Sequence, residues 1–467
     1  MKTLIKLSLF KELAIEVTRK NIEAYVVGGF VRDFLLDRKS KDVDIVVVGD
    51  GITFAKEMAK KWNTKLTIFK NFGTAMLNYG DIQIEFVEAR KESYRKDSRK
   101  PIIEKGNLYD DQSRRDFTIN TIAFSLKHEE FGNIIDIFNG YRDLEKEIIK
   151  TPLEPNITFS DDPLRMLRAI RFATQLNFTI EENTYTAIAE NTERIKIVSY
   201  ERISDELNKI ILSPKPSIGF KLLNKTGLLK IILPELEQLK ITDIVENISH
   251  KNVFFHSLQV LDNIAKHSDN LWLRWSALLH DIGKPATKKF CKDKRWTFYS
   301  HNYIGAKMIK PIFRRLKLPL NEKLLFVKKM VELHMRPIAL VEDEVSDTAI
   351  RRLLFDAGDD IDDLMTLCEA DITSKNEFKV KKYLNNFLKV RRKLRSVEER
   401  DSIRNFQPPI KGNEIMETFD LQPCKIVGEI KSAIKEAILE GDIPNEYNEA
   451  KMFMLQKGKE LGLVPKA

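Results

Sequence analysis

The sequence predicts an α+β head followed by an all-α remainder, and three observations carry that expectation. Residues 22–138 alternate short β-rich runs with helical pieces. From Asp161 onward, apolar residues recur at three- and four-residue spacing, as in Leu164-Met166-Leu167-Ile170 and Ile203-Leu207-Ile210-Ile211, which is the period of an amphipathic helix. At 467 residues the chain is too long for one compact core, and its length allows roughly three domains.

Within the head, the expected strands are Ala24–Val27, Val43–Val48, Ala75–Asn78, Ile82–Val87 and Ile134–Phe138. Between the first two lies Val26-Val27-Gly28-Gly29-Phe30-Val31-Arg32-Asp33, a glycine turn leading into a helix over Phe30–Leu36. Such a turn aims orphan backbone N–H groups and a positive helix end at an anion, phosphate above all. Lys41-Asp42-Val43-Asp44-Ile45 follows. Side chains alternate along a strand, so Asp42 and Asp44 project to one side while Val43 and Ile45 pack beneath. Two converging carboxylates suit a hard divalent cation such as Mg²⁺; a hairpin turn followed by a strand with two exposed aspartates is the plainer alternative.

Arg90–Lys105 (RKESYRKDSRKPIIEK) is charged and nearly devoid of core residues, and reads as a mobile loop or a solvated connector. Beyond it, Arg114-Arg115-Asp116-Phe117-Thr118-Ile119-Asn120 sets two guanidiniums beside a polar pair, fit either to clamp phosphate or to form a surface ion-pair cluster. Asp161-Asp162-Pro163-Leu164-Arg165-Met166-Leu167-Arg168 puts proline at a helix start with acids in the cap region. The spacing predicts that Asp162, Arg165 and Arg168 lie along one side of that helix. Pro214, Pro216 and Pro234 then mark boundaries, a further helical unit spans roughly 250–375, and a lysine-rich helical tail ends the sequence.

Composition narrows the classes. With 43% apolar and 31% charged residues the chain is ordinary and globular, and 78 Lys+Arg against 69 Asp+Glu give +9 and a pI near 9.1. That excess is compatible with a polyanionic partner. Cys291, Cys368 and Cys424 lack paired spacing, which argues against a disulfide framework and a thiolate zinc site. Lysines interrupt every apolar stretch of Met1–Lys11, a poor signal peptide, and no run approaches the ~20 apolar residues of a membrane span. A cytoplasmic protein is expected.

Taken in order, the motifs GGxVRD, DxD, RRDxxxN and [ED]DPLRxLRAxRF resemble those of the class II tRNA nucleotidyltransferases, the CCA-adding enzymes, with their A-adding, CC-adding and bacterial poly(A) polymerase relatives. Asp136 and Gly140 in IIDIFNGYRD and Ser199-Tyr200-Glu201-Arg202-Ile203 extend the likeness, which covers about residues 20–240. The resemblance implies that Asp42 and Asp44 hold Mg²⁺, that Gly28, Gly29 and Arg32 bind phosphates, and that Arg114, Arg115, Asn120 and Arg168 belong to the nucleotide site. Glu85 is either a third carboxylate or a plain strand-edge glutamate. Asp162 and Arg165 would act as an amino-acid template. Cytosine and adenine each offer an amino donor beside a ring-nitrogen acceptor, which a carboxylate and a guanidinium satisfy, whereas guanine and uracil present the reverse order. Asp161 stands where the family usually has Glu.

The second half resembles the HD phosphohydrolase superfamily through His256, His280-Asp281 and Asp371, with His301 and His334 correctly ordered as further ligands. Such a set could hold one or two ions of Mg, Mn or Ni. Lys284 is either a phosphate contact or a helix-end charge. The resemblance divides the chain into a nucleotidyltransferase head (1–150), a helical neck (151–213), a small helical body (214–248), an HD domain (249–376) and an RNA-contacting tail (377–467). The expected function is addition of C and/or A from CTP and ATP to the tRNA 3′ end, coupled to an HD phosphohydrolase. Bacterial poly(A) polymerase is the nearest rival; that branch carries an arginine-rich segment where this chain has Phe69-Lys70-Asn71-Phe72-Gly73-Thr74-Ala75. An HD phosphohydrolase with a merely RNA-binding N-terminal half is the rival of another class.

Overall fold

A computed structural model describes residues 8–69, 73–95, 98–240, 244–245, 248–249, 252–293, 295–342, 346–374, 376–404 and 406–466. The start of the N-terminal segment and Lys70–Phe72 lie outside the described residues. The chain forms two units, Met1–Pro234 and Glu235–Ala467.

The first unit opens with α1 (Ser8–Lys20), whose Leu9, Phe10, Leu13, Ala14 and Val17 form a buried stripe at helical spacing. A seven-stranded sheet follows, in the order β3-β4-β5-β2-β1-β8-β9: β1 (Glu23–Val27), β2 (Asp42–Val48), β3 (Leu66–Phe69), β4 (Thr74–Tyr79), β5 (Ile82–Glu88), β8 (Ala123–Ser125) and β9 (Ile134–Ile135). Only β2 and β5 run parallel. α2 (Gly29–Leu35) leaves β1 at the glycine turn, and α3 (Gly51–Lys61) is capped by Asp50, which accepts from Thr53 N at 2.8 Å. Buried Val26, Ile45, Val46, Ile84 and Phe86 form the sheet's core.

Three expectations for the head are corrected. Arg90–Lys105 is a hairpin, β6 (Arg90–Arg95) paired antiparallel with β7 (Ser98–Lys105), because backbone pairing needs no apolar side chains and polar anchors hold its base. The strand expected over Ile134–Phe138 ends after two residues, since Asp136 turns to accept from Gly140 N at 2.7 Å and Tyr141 N at 2.9 Å, starting α5 (Gly140–Glu145). Two strands, β3 and β8, were not expected at all.

α4 (Leu108–Ser113) carries a reciprocal cap between Asn107 and Asp110. Beyond the sheet come β10 (Ile148–Ile149), α6 (Pro155–Asp161), α7 (Leu164–Leu176), β11 (Thr179–Ile180), α8 (Glu182–Glu190), α9 (Tyr200–Ile211), α10 (Ser217–Lys225) and α11 (Leu228–Ile232). α7 packs on α9, and the buried pair Arg171–Glu206, 2.6 Å, joins them.

The second unit contains α12 (Pro234–Gln238), the short pair β12 (Ile244–Val245) and β13 (Ile248–Ser249), α13 (Val253–Ala265), α14 (Leu271–Leu279), α15 (Lys284–Thr287), the hairpin β14 (Lys289–Cys291) and β15 (Arg295–Thr297), α16 (His301–Arg315), α17 (Glu322–Leu333), α18 (Met335–Glu342), α19 (Asp347–Ala357), α20 (Ile361–Ala370), α21 (Glu377–Asp401) and α22 to α24 (Gly412–Phe419, Lys425–Glu440, Tyr447–Glu460). The remainder is mostly helical, as expected, with the parallel pair β10–β11 and two small antiparallel pairs set between the helices. Among the described residues no helix is long and apolar enough to cross a membrane.

Candidate functional sites

In the head, pairing register does the positioning. Val27 faces Asp44 across β1–β2, and Asp44 faces Glu85 across β2–β5. Glu85 is flanked by β2 and β4, so it is no strand-edge residue. Gly28 sits at the N-terminus of α2 with φ +77°, and a Cβ there would lie 3.1 Å from Asp44 Oδ2 and 3.1 Å from Arg115 Nη1. Both the backbone angle and the close approach require glycine.

Burial raises the Asp44 pKa, Arg115 opposes the rise, and Asp42 and Asp111 add to it. Burial and Asp44 likewise raise Glu85, against Arg90. Asp44 therefore stands in charge repulsion with Asp42 and with Glu85, and oxygen donors of this kind suit a hard divalent cation.

The arginines are held by carboxylates. Asp111, fully buried, accepts from Arg115 Nε at 3.0 Å and Nη2 at 2.9 Å and from Arg114 Nε at 3.1 Å. Burial would raise its pKa, but Arg115 and Arg114 hold it below the usual carboxylate range. Arg114 also reaches Glu92 of β6 at 3.2 Å, one of the anchors of the hairpin. A second chain runs Arg32 Nη1 to Asn120 Oδ1 (2.9 Å), Asn120 Nδ2 to Asp116 Oδ1 (2.9 Å) and Arg168 Nε to Asp116 Oδ2 (2.7 Å). Against the cost of burial, Arg168 and Asn120 hold Asp116 at about 2. The Phe172 ring supports three guanidiniums, Arg171 at 4.0 Å, Arg32 at 4.9 Å and Arg168 at 5.5 Å.

The expected stripe of Asp162, Arg165 and Arg168 is corrected. Asp162 lies between α6 and α7 with extended backbone (φ −133°, ψ 97°), because a residue preceding proline avoids the helical region. Its carboxylate accepts from Leu164 N at 3.2 Å and stands 3.6 Å from Arg202. Arg165, in the first turn of α7, donates from Nη2 to Arg114 O at 2.5 Å, and Arg168 turns to Asp116. Gly29 lies beside Arg32, with a notional Cβ 3.7 Å from its Nη2.

The second unit brings all six expected residues of its site together. Asp281 is central: Oδ2 lies 3.2 Å from His280 Nε2 and 3.6 Å from His256 Nε2, while Oδ1 lies 3.3 Å from His301 Nε2 and 3.9 Å from His334 Nε2. Asp371 Oδ1 is 2.8 Å from His256 Nε2 and 3.6 Å from His280 Nε2. Each Nδ1 is engaged from behind, His280 by Ala277 O (2.8 Å), His301 by Phe298 O (2.8 Å), His334 by Val331 O (2.7 Å) and His256 by Thr373 Oγ1 (2.8 Å). Where the partner is a carbonyl, Nδ1 must carry a proton, so in the neutral ring Nε2 presents its lone pair to the centre.

Two ligand triads result, His256-His280-Asp281 and Asp281-His301-His334. The buried Nε2 of His280 lacks a well-formed hydrogen bond. The charge balance also fits a cation: burial disfavours protonation of His280, yet Asp281 and Asp371 push it up to about 10, while burial and His280 force His334 down to about 4. A proton thus serves where a metal would neutralise two buried carboxylates. Lys284, the first residue of α15, turns its Nζ to within 2.6 Å of Asp281 Oδ2, so this helix-end charge borders the site.

Residues 24–150 match the family described as Poly A polymerase head domain, 177–240 the probable RNA and SrmB-binding site of polymerase A, and 253–374 the HD domain. An A-adding tRNA nucleotidyltransferase of Deinococcus radiodurans is 30% identical over 453 residues, covering 94% of this chain and 96% of that protein. The chain belongs to the tRNA nucleotidyltransferase family. A CCA-adding enzyme of Lactobacillus helveticus is 40% identical over 208 residues, 44% of this chain and 50% of that one. A solved CCA-adding enzyme in complex with CTP shares 25% identity with a TM-score of 0.63, covering 97% of this chain and 94% of its own.

Within this nucleotidyltransferase, the head match contains Gly28 through Asn120 and the HD match contains all six residues of the histidine cluster, whereas Asp162, Arg165 and Arg168 fall between matched segments. Sequence reasoning missed Asp111 and Glu92 and assigned Asp116 no role. Asp111 was findable, because it stands three and four residues before Arg114 and Arg115, and the turn that ends α4, capped by Arg114, brings both guanidiniums back to it. Glu92 had no signal, since the hairpin that carries it was read as a loop.

Proposed function

We propose that this chain is a metal-dependent tRNA nucleotidyltransferase that adds C and/or A from CTP and ATP to the tRNA 3′ end without a nucleic-acid template, and that its second unit hydrolyses phosphoesters. The observation that carries the first reading is the register placing Asp44 beside Glu85 and against Gly28, with Asp42 on the same face of β2. Curated relatives named for A or CCA addition support it over poly(A) synthesis, and the acidic cluster argues against a head that only binds RNA.

Asp42 and Asp44, with Glu85 as third acid, would hold Mg²⁺, which supplies activation of the RNA 3′-hydroxyl and neutralisation of the departing pyrophosphate. Gly28 and Gly29 offer backbone N–H groups to phosphate, and Arg32, fixed by Asn120, adds a guanidinium. Arg114 and Arg115 keep donors in reserve after pairing with Asp111. Asp162 and Arg165 select cytosine and adenine, the carboxylate accepting from the amino group and the guanidinium donating to the ring nitrogen. Arg168, held by Asp116, follows Arg165 by one helical turn and adds its guanidinium to the nucleotide site.

His256, His280, Asp281, His301, His334 and Asp371 would hold Mg, Mn or Ni, with Lys284 contributing to phosphate binding. Water adds to phosphorus, the bond to the leaving oxygen breaks, and that oxygen takes a proton. We further infer the five-part division given above (head 1–150, neck 151–213, body 214–248, HD domain 249–376, tail 377–467), and a cytoplasmic enzyme with tRNA as its macromolecular partner. The test is to supply tRNA transcripts ending before CCA, after the first C and after CC, each with labelled CTP or ATP. Extension by C or A but not by U or G supports the reading; no extension of any transcript overturns it.

A further inference from the structure

The histidine cluster has a rim that the functions above use only at Lys284. Lys284, whose Nζ touches Asp281, also lies 5.7 Å from the centre of the Phe298 ring. One helical turn on, Lys288 Nζ lies 4.7 Å over the Trp296 ring. Trp296 faces Phe290 across β14–β15, ring centres 5.2 Å apart at 68°. Phe298 is fixed in place by its own carbonyl, which holds the His301 imidazole, and Ser300, at φ +61°, turns the chain from hairpin into α16. Two lysine–aromatic pairs thus follow one another along α15 and its C-cap.

These rings are not core. Phe290, Trp296 and Phe298 are only partly buried, and Tyr299 beside them is 64% exposed. From Lys284 to Arg295 the sequence has six basic residues, Lys284, Lys288, Lys289, Lys292, Lys294 and Arg295, against Asp293 alone. Cations alone would suit any polyanion. Alternating cations and ring faces suit one whose bases are free to stack, which a duplex or an acidic protein does not offer.

We propose that the α15 and β14–β15 rim is a binding track for the single-stranded end of an RNA, stacking bases on Phe298 and Trp296 and pairing phosphates with Lys284 and Lys288, so that the terminal phosphoester enters the histidine cluster. This rests on the hydrolase reading of that cluster, and the experiment separates the two. Full-length protein with Lys288→Ala, Trp296→Ala or Trp296→Phe is assayed on bis-p-nitrophenyl phosphate, which has no base, and on a pentaribonucleotide ending in a 2′,3′-cyclic phosphate. In parallel, a pentanucleotide carrying 5-iodouridine is photocrosslinked and the adduct mapped by mass spectrometry, with bound metal and melting temperature as controls.

The expected result is a tenfold or larger rise in KM for the pentanucleotide with both alanine variants, kcat and the bis-p-nitrophenyl phosphate rate within twofold of wild type, recovery with Trp296→Phe, and adducts within 290–299. If wild type hydrolyses neither substrate but the adducts map there and weaken with Lys288→Ala, the hydrolase reading falls and the track stands. Unchanged KM in both alanine variants, or adducts confined to residues 1–234, overturns the track.

Discussion

The acidic site of the head and the histidine cluster of the second unit both gather buried charge, and they balance it differently. In the head, guanidiniums neutralise Asp111 and Asp116 permanently, while Asp42, Asp44 and Glu85 are left in excess. The histidine cluster has no arginine among its six residues; four imidazoles and Lys284 surround two carboxylates, which favour a proton on His280. The head therefore presents fixed electrostatics to a substrate that arrives with its own charge, whereas the cluster, on the function proposed for it, would exchange a proton for a metal ion. Fixed charge orients a reaction, and exchangeable charge tunes a Lewis acid.

The comparison breaks most sharply if either site can do without its acids. Asp44→Ala should lower nucleotide addition a thousandfold or more, about 4 kcal/mol of barrier, while tRNA binding survives in a filter assay and hydrolysis of bis-p-nitrophenyl phosphate is unchanged. Asp42→Ala should behave alike. Incorporation within tenfold of normal at saturating Mg²⁺ would remove the metal-binding role.

Conversely, the double change His280→Ala and Asp281→Ala should abolish hydrolysis and lower bound metal, measured by elemental analysis, while addition stays within a few-fold. Dialysis against a chelator should mimic the hydrolytic loss, with recovery on adding Mn²⁺ or Ni²⁺. Equal metal content in wild type and double variant would mean that these residues serve packing.

What was legible in the sequence follows the same division. Asp42 and Asp44 share one strand, so period-two alternation placed them, and Gly28-Gly29 announced its turn by residue type alone. Glu85 stayed undecided because its partner strand is set by sheet register, which no local pattern encodes. The Arg90–Lys105 hairpin was read as a loop because its ladder is backbone-made and its side chains carry no apolar alternation. Asp162 was misplaced onto a helix although Pro163 after it argued for extended backbone, a signal present and outweighed by the i,i+3 spacing. In the second unit the order of His and Asp located the clustered residues across 256–371, but not the carbonyls three residues back that orient His280, His301 and His334. Those depend on helix ends, whose positions sequence specifies least well.

Base selection sharpens the account of fixed charge. Arg165→Ala should reduce discrimination against UTP and GTP about a hundredfold, about 2.7 kcal/mol, as well as slow CTP and ATP use, because rejection depends on leaving the guanidinium and the Asp162 carboxylate unpaired. Competition between labelled nucleotides on one transcript measures it. A slower enzyme with unchanged preference would assign Arg165 to fixing the Arg114 carbonyl alone.

The smallest effect tests whether the arginine lattice behaves as permanent charge. Asp116 sits at about 2, below its usual value near 3.8, so its ionised form is favoured by the fold. A depressed carboxylate contributes stability that is complete above about pH 4 and is lost as pH falls through about 2, below which folded and unfolded chains are both protonated. The shift corresponds to about 2 kcal/mol. Asp116→Asn imitates the protonated carboxyl without its charge, so the urea midpoint of the first unit should fall at pH 7 and the gap to wild type should close between pH 4 and pH 2. A gap that persists undiminished at pH 2 would show that shape and hydrogen bonding to Asn120, rather than the charge facing Arg168, hold this part of the head together, and the contrast with the proton-exchanging cluster would lose its footing.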